Sequence, residues 1–98
     1  MPEFSKINHV YTPEQKMKDI ELVRAVKFAI VSEFEAIQIY QEIAEATNNV
    51  GAKRVLLDIA KEEKVHVGEL RELLKALSPV DEEDYEEGAK EAQELMEE

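Results

Sequence analysis

The stretch from Ala52 to Leu77 most constrains the fold, because it is a helical stripe interrupted only by a carboxylate and an imidazole. Its spacings of three and four residues keep one side of an α-helix facing a partner helix. The two polar members, Glu63 and His66, are three residues apart, so their side chains lie one turn apart on the face predicted to be buried. We call this stripe the second seam, because it lies on the second of two helical runs. It comprises Ala52, Leu56, Ile59, Glu63, His66, Leu70, Leu73 and Leu77.

The preceding helical run carries a similar stripe, in which Glu33 is the one acidic break. Residues 47–51, Thr-Asn-Asn-Val-Gly, form the best turn signal between the two runs. In an antiparallel hairpin, residues equidistant from the turn lie side by side, so Glu33 is predicted to meet Glu63 and His66 at one height. We call the stripe of this preceding run the first seam; it comprises Val23, Val26, Ile30, Glu33, Ile37, Tyr40 and Ala44.

This cluster of ionisable groups needs something to neutralise it. An ionised group buried alone costs several kcal/mol, whereas a whole domain is stable by only about 5–15 kcal/mol. Carboxylates with an imidazole suit iron, manganese or zinc. The alternative interpretation is a metal-free polar network that sets the register of the helices. Two long helices also bury too little apolar surface alone, which favours a four-helix bundle made from two chains.

Composition limits the class of protein. With 98 residues, 44% of them apolar, and only 3 Gly and 3 Pro, the chain suits one helical domain. It has no Cys, hence no disulfide and no thiolate ligand. No apolar run approaches a membrane span, and the start does not resemble a signal peptide, so we expect an intracellular protein without a membrane partner.

The net charge of −11 is concentrated at the end of the chain. Residues 81–98 hold ten Asp and Glu against one Lys, and residues 1–80 carry a net charge of only −2. Nucleic acid is not an expected partner, because phosphate contact needs a basic patch. The acidic segment could gather cations, or it could be an ordinary solvated helix, and the sequence leaves both interpretations open.

Capping signals predict the boundaries of a single domain. We expect an extended arm over residues 1–11 and a first helix over 12–47, with Thr12 as N-cap, Pro13 in the first turn and Gln15 closing a capping box. A second helix is predicted over 50–77, ended by Ser78 and Pro79, and an acidic third helix over 79–97. The fold class is therefore all-α: an antiparallel two-helix hairpin, half of a four-helix bundle, plus a short C-terminal helix.

Two segments resemble a known family: Glu33-Phe-Glu-Ala36-Ile-Gln-Ile-Tyr40 and Glu63-Lys-Val-His66. They are similar to the ferritin-like and rubrerythrin iron proteins, whose di-iron bundles use Glu residues with Glu-x-x-His. A single helix pair carrying both motifs resembles the encapsulated ferritins in particular. The resemblance implies a ferroxidase with a di-iron centre shared by two chains, in a decamer of five dimers. It further implies a location in the cytoplasm, inside an encapsulin nanocompartment.

The resemblance also implies roles for individual residues. Glu33, Glu63 and His66 would be the iron ligands, Tyr40 a neighbouring tyrosine at the catalytic centre, and Glu35 an acidic group near the route by which metal enters. The sequence departs from some relatives at Ser32 and Ile39, where they have an acidic and an aromatic residue.

The sequence ends abruptly on a charged, helical stretch. The shell-targeting peptide of such cargo proteins is not visible, and a fusion to the shell protein, known in some relatives, would explain the abrupt end. Two alternatives remain: a rubrerythrin-like peroxide-reducing di-iron protein, and a metal-free helical assembly or adaptor domain.

Overall fold

The described part of the protein is a helical hairpin followed by a third helix. The computed structural model describes residues 16–97. Its helices are α1 (Asp19–Ala46), α2 (Val50–Leu77) and α3 (Pro79–Glu97), and residues 16–97 contain no strand. The helices α1 and α2 pack against each other over their length. The predicted all-α hairpin with a C-terminal helix is thus confirmed.

The start of α1 differs from the sequence-based expectation of one helix from residue 12. Residues 16–18 are not helical, and α1 begins at Asp19. The backbone N–H of Lys18 donates to Glu21 Oε1 at 2.7 Å, and Asp19 and Glu21 place acids in the first turn. Negative charge stabilises the N-terminal end of a helix dipole, which makes Asp19 a favourable starting point. The predicted cap at Thr12, Pro13 and Gln15 lies outside the described residues, as does the arm over 1–11.

The turn between α1 and α2 is held by short hydrogen bonds from its own residues. The Asn49 side chain accepts from the backbone N–H of Ala52 at 2.9 Å, and thus caps α2. The backbone N–H of Asn49 donates to Thr47 Oγ1 at 3.1 Å, while that of Thr47 donates to the Ile43 carbonyl at 3.0 Å. These bonds fix where the chain reverses, and hence which residues of the two helices lie opposite one another.

The hairpin core is thin, and on α2 it does not coincide with the second seam. Buried α1 residues all belong to the first seam, as predicted, but the buried α2 residues are Ala60 and Val67. Each follows a seam residue by one position, which is a rotation of about 100° around the helix. The α2 face turned to α1 is therefore not the second seam, whose apolar members are half-buried in the single chain except Leu73, which is 45% exposed. Burial of this seam in a bundle of two chains stays a prediction. The buried set is Val26, Ile37, Ala44, Ala60 and Val67.

The third helix touches the hairpin only where it begins. Lys27 Nζ and Asp81 Oδ2 form an ion pair at 2.9 Å, and Ser78 Oγ donates to the same carboxylate at 2.8 Å. Beyond Glu82, every described residue of α3 is exposed, although Tyr85 lines an open groove together with Arg71 and Lys75 of α2. None of the described helices has the length and apolar character needed to cross a membrane.

Candidate metal centre

Glu33, Glu63 and His66 converge near the middle of the hairpin. Their candidate ligand atoms all lie within 4.8 Å of one another. His66 Nδ1 is 3.4 Å from Glu63 Oε1 and 3.8 Å from Glu33 Oε2. The predicted meeting of these three side chains at one height is confirmed by these distances, while their role as metal ligands remains a prediction.

The local sequence accounts for this convergence. Glu33 precedes the turn at Thr47–Asn49 by nearly the same length of chain by which Glu63 and His66 follow it. Because the turn is fixed by the Asn49 cap, the antiparallel helices bring the three positions level. Within α2, the i,i+3 spacing stacks Glu63 and His66 on one side of the helix.

The electrostatics of the cluster are those of two acids sharing a small space. The pKa of Glu33 is raised, chiefly by hydrogen bonding with the Glu63 carboxyl, then by burial and by the Glu63 charge, while His66 opposes the rise. Glu33 Oε2 is buried and has no hydrogen-bond partner among the described residues, because His66 Nδ1 is too distant for one. The cluster therefore leaves one buried carboxylate oxygen without a donor.

A bound metal ion would give this buried oxygen a partner. Oxygen and nitrogen ligands lie about 2.0–2.2 Å from a bound zinc-sized ion, so neighbouring ligand atoms are separated by roughly 3–3.5 Å. The measured 3.4 Å between His66 Nδ1 and Glu63 Oε1 falls within this range, and Glu33 Oε2 needs only a small side-chain movement. The residues present thus suit an iron ion, with carboxylate and imidazole groups as ligands.

The cluster is open on one side. The side chains of Glu33 and Glu63 are 23% and 20% exposed, but that of His66 is 49% exposed. His66 lies at the edge of the α2 face turned to α1, so its imidazole is near Glu33 and is still half-exposed. Three protein ligands would not fill the coordination sphere of an iron ion, and the open side is where further ligands could reach a bound ion.

Tyr40 and Glu35 do not belong to the converging group. Tyr40 is half-buried and lies two turns after Glu33 on the same side of α1. Glu35 is exposed, and its two-residue offset from Glu33 turns it to the opposite side of α1. Their roles near the metal stay predictions.

One interaction between distant residues was missed from the sequence, namely the ion pair of Lys27 with Asp81. Its partners are separated by 54 positions, and no local pattern links them.

The comparison with known proteins assigns the family. Residues 25–98 match the rubrerythrin family. The chain belongs to the rubrerythrin family. This is a ferritin-like, iron-binding family, in keeping with the carboxylate and imidazole groups that meet in the hairpin.

Two similar proteins are linked to encapsulins by their names. A ferritin-like-encapsulin shell fusion protein of Pyrococcus furiosus is 37% identical over 75 residues, which are 76% of this chain and 22% of that protein. An encapsulin nanocompartment cargo protein of Myxococcus xanthus, EncC, is 37% identical over 65 residues, 66% of this chain and 50% of that protein. The chain therefore spans about a fifth and a half of these two relatives.

A solved structure shares the fold of this rubrerythrin-family chain. The crystal structure of the encapsulated ferritin domain from Pyrococcus furiosus superposes with a TM-score of 0.84 at 31% identity, covering 92% of both chains. The resemblance to encapsulated ferritins that the two sequence motifs indicated is thereby confirmed.

Proposed function

We propose that the protein is a ferroxidase that oxidises iron(II) to iron(III) at a di-iron centre shared between two chains. The observation that carries this proposal is the convergence of Glu33, Glu63 and His66 around a buried carboxylate oxygen without a partner. Membership of an iron-binding family supports iron as the metal.

The open side of the cluster supports a centre shared by two chains. A second hairpin related by a two-fold axis would bring its own Glu33, Glu63 and His66, and the pair would then offer four carboxylates and two imidazoles. The same contact would cover half-buried and exposed apolar residues beside the cluster, namely Ile59, Leu70 and Leu73. Burying apolar surface stabilises the contact by about 25 cal/mol per Å², and the thin core of one hairpin needs such a partner.

The residues of the chain would hold the iron and favour its oxidised state. Glu33 and Glu63 would bind as carboxylates, and His66 would bind through the nitrogen that faces them. Negative ligands stabilise the more highly charged iron(III) ion, which lowers the free energy of the product. A pair of iron(II) ions would supply two electrons, enough to reduce dioxygen to hydrogen peroxide, or hydrogen peroxide to water, with two protons from solvent.

Names of similar proteins support an association with an encapsulin shell. One is a fusion with a shell protein and another is a shell cargo protein. We propose that this chain likewise works inside an encapsulin nanocompartment, as dimers arranged in a ring of five. Two short hairpins enclose no storage cavity, so the iron(III) product would be mineralised elsewhere in the compartment.

The first test is aerobic iron(II) oxidation by ligand variants. Glu33→Gln, Glu63→Gln and His66→Ala should each lower the rate by at least about ten-fold, because loss of even an outer-shell partner costs that much at many metal sites. Glu62→Gln is the matched control, since Glu62 is exposed and adjacent to Glu63 on α2. Using peroxide and dioxygen in parallel separates a ferroxidase from a peroxide-reducing protein. Wild-type rates in all three ligand variants would contradict the proposal.

The second test asks whether the centre belongs to two chains. Anaerobic iron(II) titration followed by native mass spectrometry should show about one iron per chain, held in pairs by dimers or multiples of dimers. Iron that binds only the dimer also stabilises the dimer by mass action. A monomer that tightly binds two irons would contradict the shared centre, and a protein without stoichiometric metal would favour the assembly-domain alternative.

A further inference from the structure

An open groove lies on a side of α2 that the candidate metal centre does not use. The groove has a volume of about 460 Å³ and lies between the last turns of α2 and the first turns of α3. When α2 is followed at 3.6 residues per turn, the groove residues Arg71 and Lys75 point to a different side of the helix from His66. A second chain that completes the metal centre therefore need not cover the groove.

Polar contacts at the start of α3 hold one wall of the groove against the hairpin. Lys27 Nζ lies 2.9 Å from Asp81 Oδ2, and Ser78 Oγ donates to the same oxygen at 2.8 Å. Tyr85 follows Asp81 by four residues, so the two side chains lie one turn apart on the same side of α3. Tyr85 and Glu82, three residues before it, both line the groove. The anchored first turn thus sets an aromatic ring and a carboxylate opposite α2.

The two basic side chains of the groove have no acidic partner. Arg71 and Lys75 are four residues apart, so they lie on the same side of α2, and both are exposed. Glu72 and Glu82 line the same groove, yet neither basic side chain forms an ion pair within residues 16–97. A guanidinium binds a phosphate group through two parallel hydrogen bonds, and an ammonium adds a point charge. This pair of cations is therefore available to an anionic group.

The size of the groove and its other lining residues favour a ligand larger than a lone anion. Pockets for small organic molecules measure about 300–1,000 Å³, whereas a single phosphate ion would leave most of this groove empty. Tyr85 is 51% exposed, and its ring can stack on a planar group. The carboxylates of Glu72 and Glu82 would repel a bare anion but can accept hydrogen bonds from N–H groups. A Cβ atom added to Gly68 would meet no atom within 4 Å, so this position also leaves room for a ligand.

We propose that the groove binds a mononucleotide, meaning a phosphate ester whose planar heterocycle carries N–H donors. Arg71 and Lys75 hold the phosphate, and the heterocycle stacks on the ring of Tyr85. The carboxylates of Glu72 and Glu82 accept hydrogen bonds from the N–H groups of the heterocycle. Guanosine monophosphate and flavin mononucleotide share this chemistry. Inorganic phosphate lacks the ring and riboflavin lacks the phosphate, so these two compounds separate the contributions of the two halves of the ligand.

Calorimetric titration of the whole chain with these four compounds tests the proposal. At about 50 mM salt, where the charges of the groove are weakly screened, at least one of the two nucleotides should saturate one site per chain below about 1 mM. Riboflavin and inorganic phosphate should each bind at least about ten-fold more weakly than that nucleotide, because each offers only half of the contacts. The nucleotide that binds more tightly identifies the ligand as a purine or a flavin.

Substitutions in the groove show whether the nucleotide binds there. Arg71→Gln and Tyr85→Leu should each weaken binding by about ten-fold or more. Lys53→Gln removes the same charge from an exposed residue at the other end of α2, and should bind as the wild type does. Gly68→Leu fills the groove without changing charge and should abolish binding, whereas Gly68→Ala should retain it because its Cβ meets no atom. Circular dichroism should show unchanged helix content in every variant.

The outcome is independent of the metal centre, because the titrations are run with a chelator and repeated in Glu33→Gln. Saturable nucleotide binding that Arg71→Gln weakens supports the proposal even if iron oxidation is absent. Failure of both nucleotides to saturate a site up to about 1 mM would overturn it. Wild-type affinity in Arg71→Gln would also overturn it, and so would inorganic phosphate that binds as tightly as the nucleotides.

Discussion

Two carboxylates of this protein, Glu33 and Asp81, are shifted in opposite directions by their surroundings. Glu33 lies beside a second carboxyl and is mostly buried, and its pKa is raised, chiefly by hydrogen bonding with Glu63. Asp81 lies at the surface, where hydrogen bonds from Lys27 and then Ser78 lower its pKa. One group is surrounded by like charge and the other by donors and a cation.

The contrast separates a proposed binding site from a structural contact. The Asp81 contact pairs this carboxylate with Lys27 and Ser78, and joins the start of α3 to α1. The Glu33 cluster leaves a buried oxygen without a donor, which is unfavourable for the folded chain alone. A bound cation would give this oxygen a partner. Groups with shifted pKa values, such as Glu33, cluster at functional sites.

The largest expected effect is stabilisation of the Glu33 cluster by metal. Iron(II) or manganese(II) at about 100 times its dissociation constant should raise the free energy of unfolding by about 2.7 kcal/mol. Glu33→Gln should lose most of this gain, yet be as stable as the wild type or more so without metal, because it removes a charge beside Glu63. Anaerobic urea denaturation with and without metal measures both quantities. Glu62→Gln serves as the control and should keep the full stabilisation by metal. The same stabilisation in Glu33→Gln would contradict a role for Glu33 in binding the ion.

A smaller effect is expected from pH in the metal-free protein. A raised carboxyl pKa means that the folded state binds the proton more tightly than the unfolded state, whose Glu pKa is about 4.3. Stability should therefore fall as the pH rises from about 4.3 through the raised pKa of Glu33, and then level off. Urea midpoints measured with a chelator across this range should show the fall in the wild type and a weaker fall in Glu33→Gln. A steeper fall in the variant would contradict the assignment to Glu33.

The smallest effect is expected at the Asp81 contact. Because its pKa is lowered, the stabilisation is present above the unfolded Asp value of about 3.9 and is lost as the pH falls through the folded value. Asp81→Asn should leave the unfolding midpoint of the hairpin unchanged but speed amide hydrogen exchange in the first turns of α3, since exposed ion pairs contribute little to global stability.

A double-mutant cycle sharpens this last expectation. Lys27→Met and Asp81→Asn should not be additive in their effects on α3 exchange, because each removes the same pair. Asp84→Asn, at an exposed position one turn further on, is the matched control. Additive effects would show that the two side chains act separately.

The sequence by itself determined the helical fold and the meeting of the three candidate ligands. Helical spacing places Glu63 and His66 on one side of α2, and the turn at Thr47–Asn49 brings Glu33 to their height. Both depend on short-range geometry, namely the period of the helix and the length of chain on either side of a turn.

Only the tertiary structure decided which face of α2 turns to α1. Periodicity shows which residues share a face, but the choice between neighbouring faces depends on how two whole helices fit, and small Ala60 with Val67 proved to be the buried pair. The pairing of Lys27 with Asp81 across 54 positions also lay beyond local pattern, because contacts between distant residues exist only once the helices have packed. That packing leaves His66 half-exposed at the edge of the hairpin, and so leaves the candidate metal cluster open on one side.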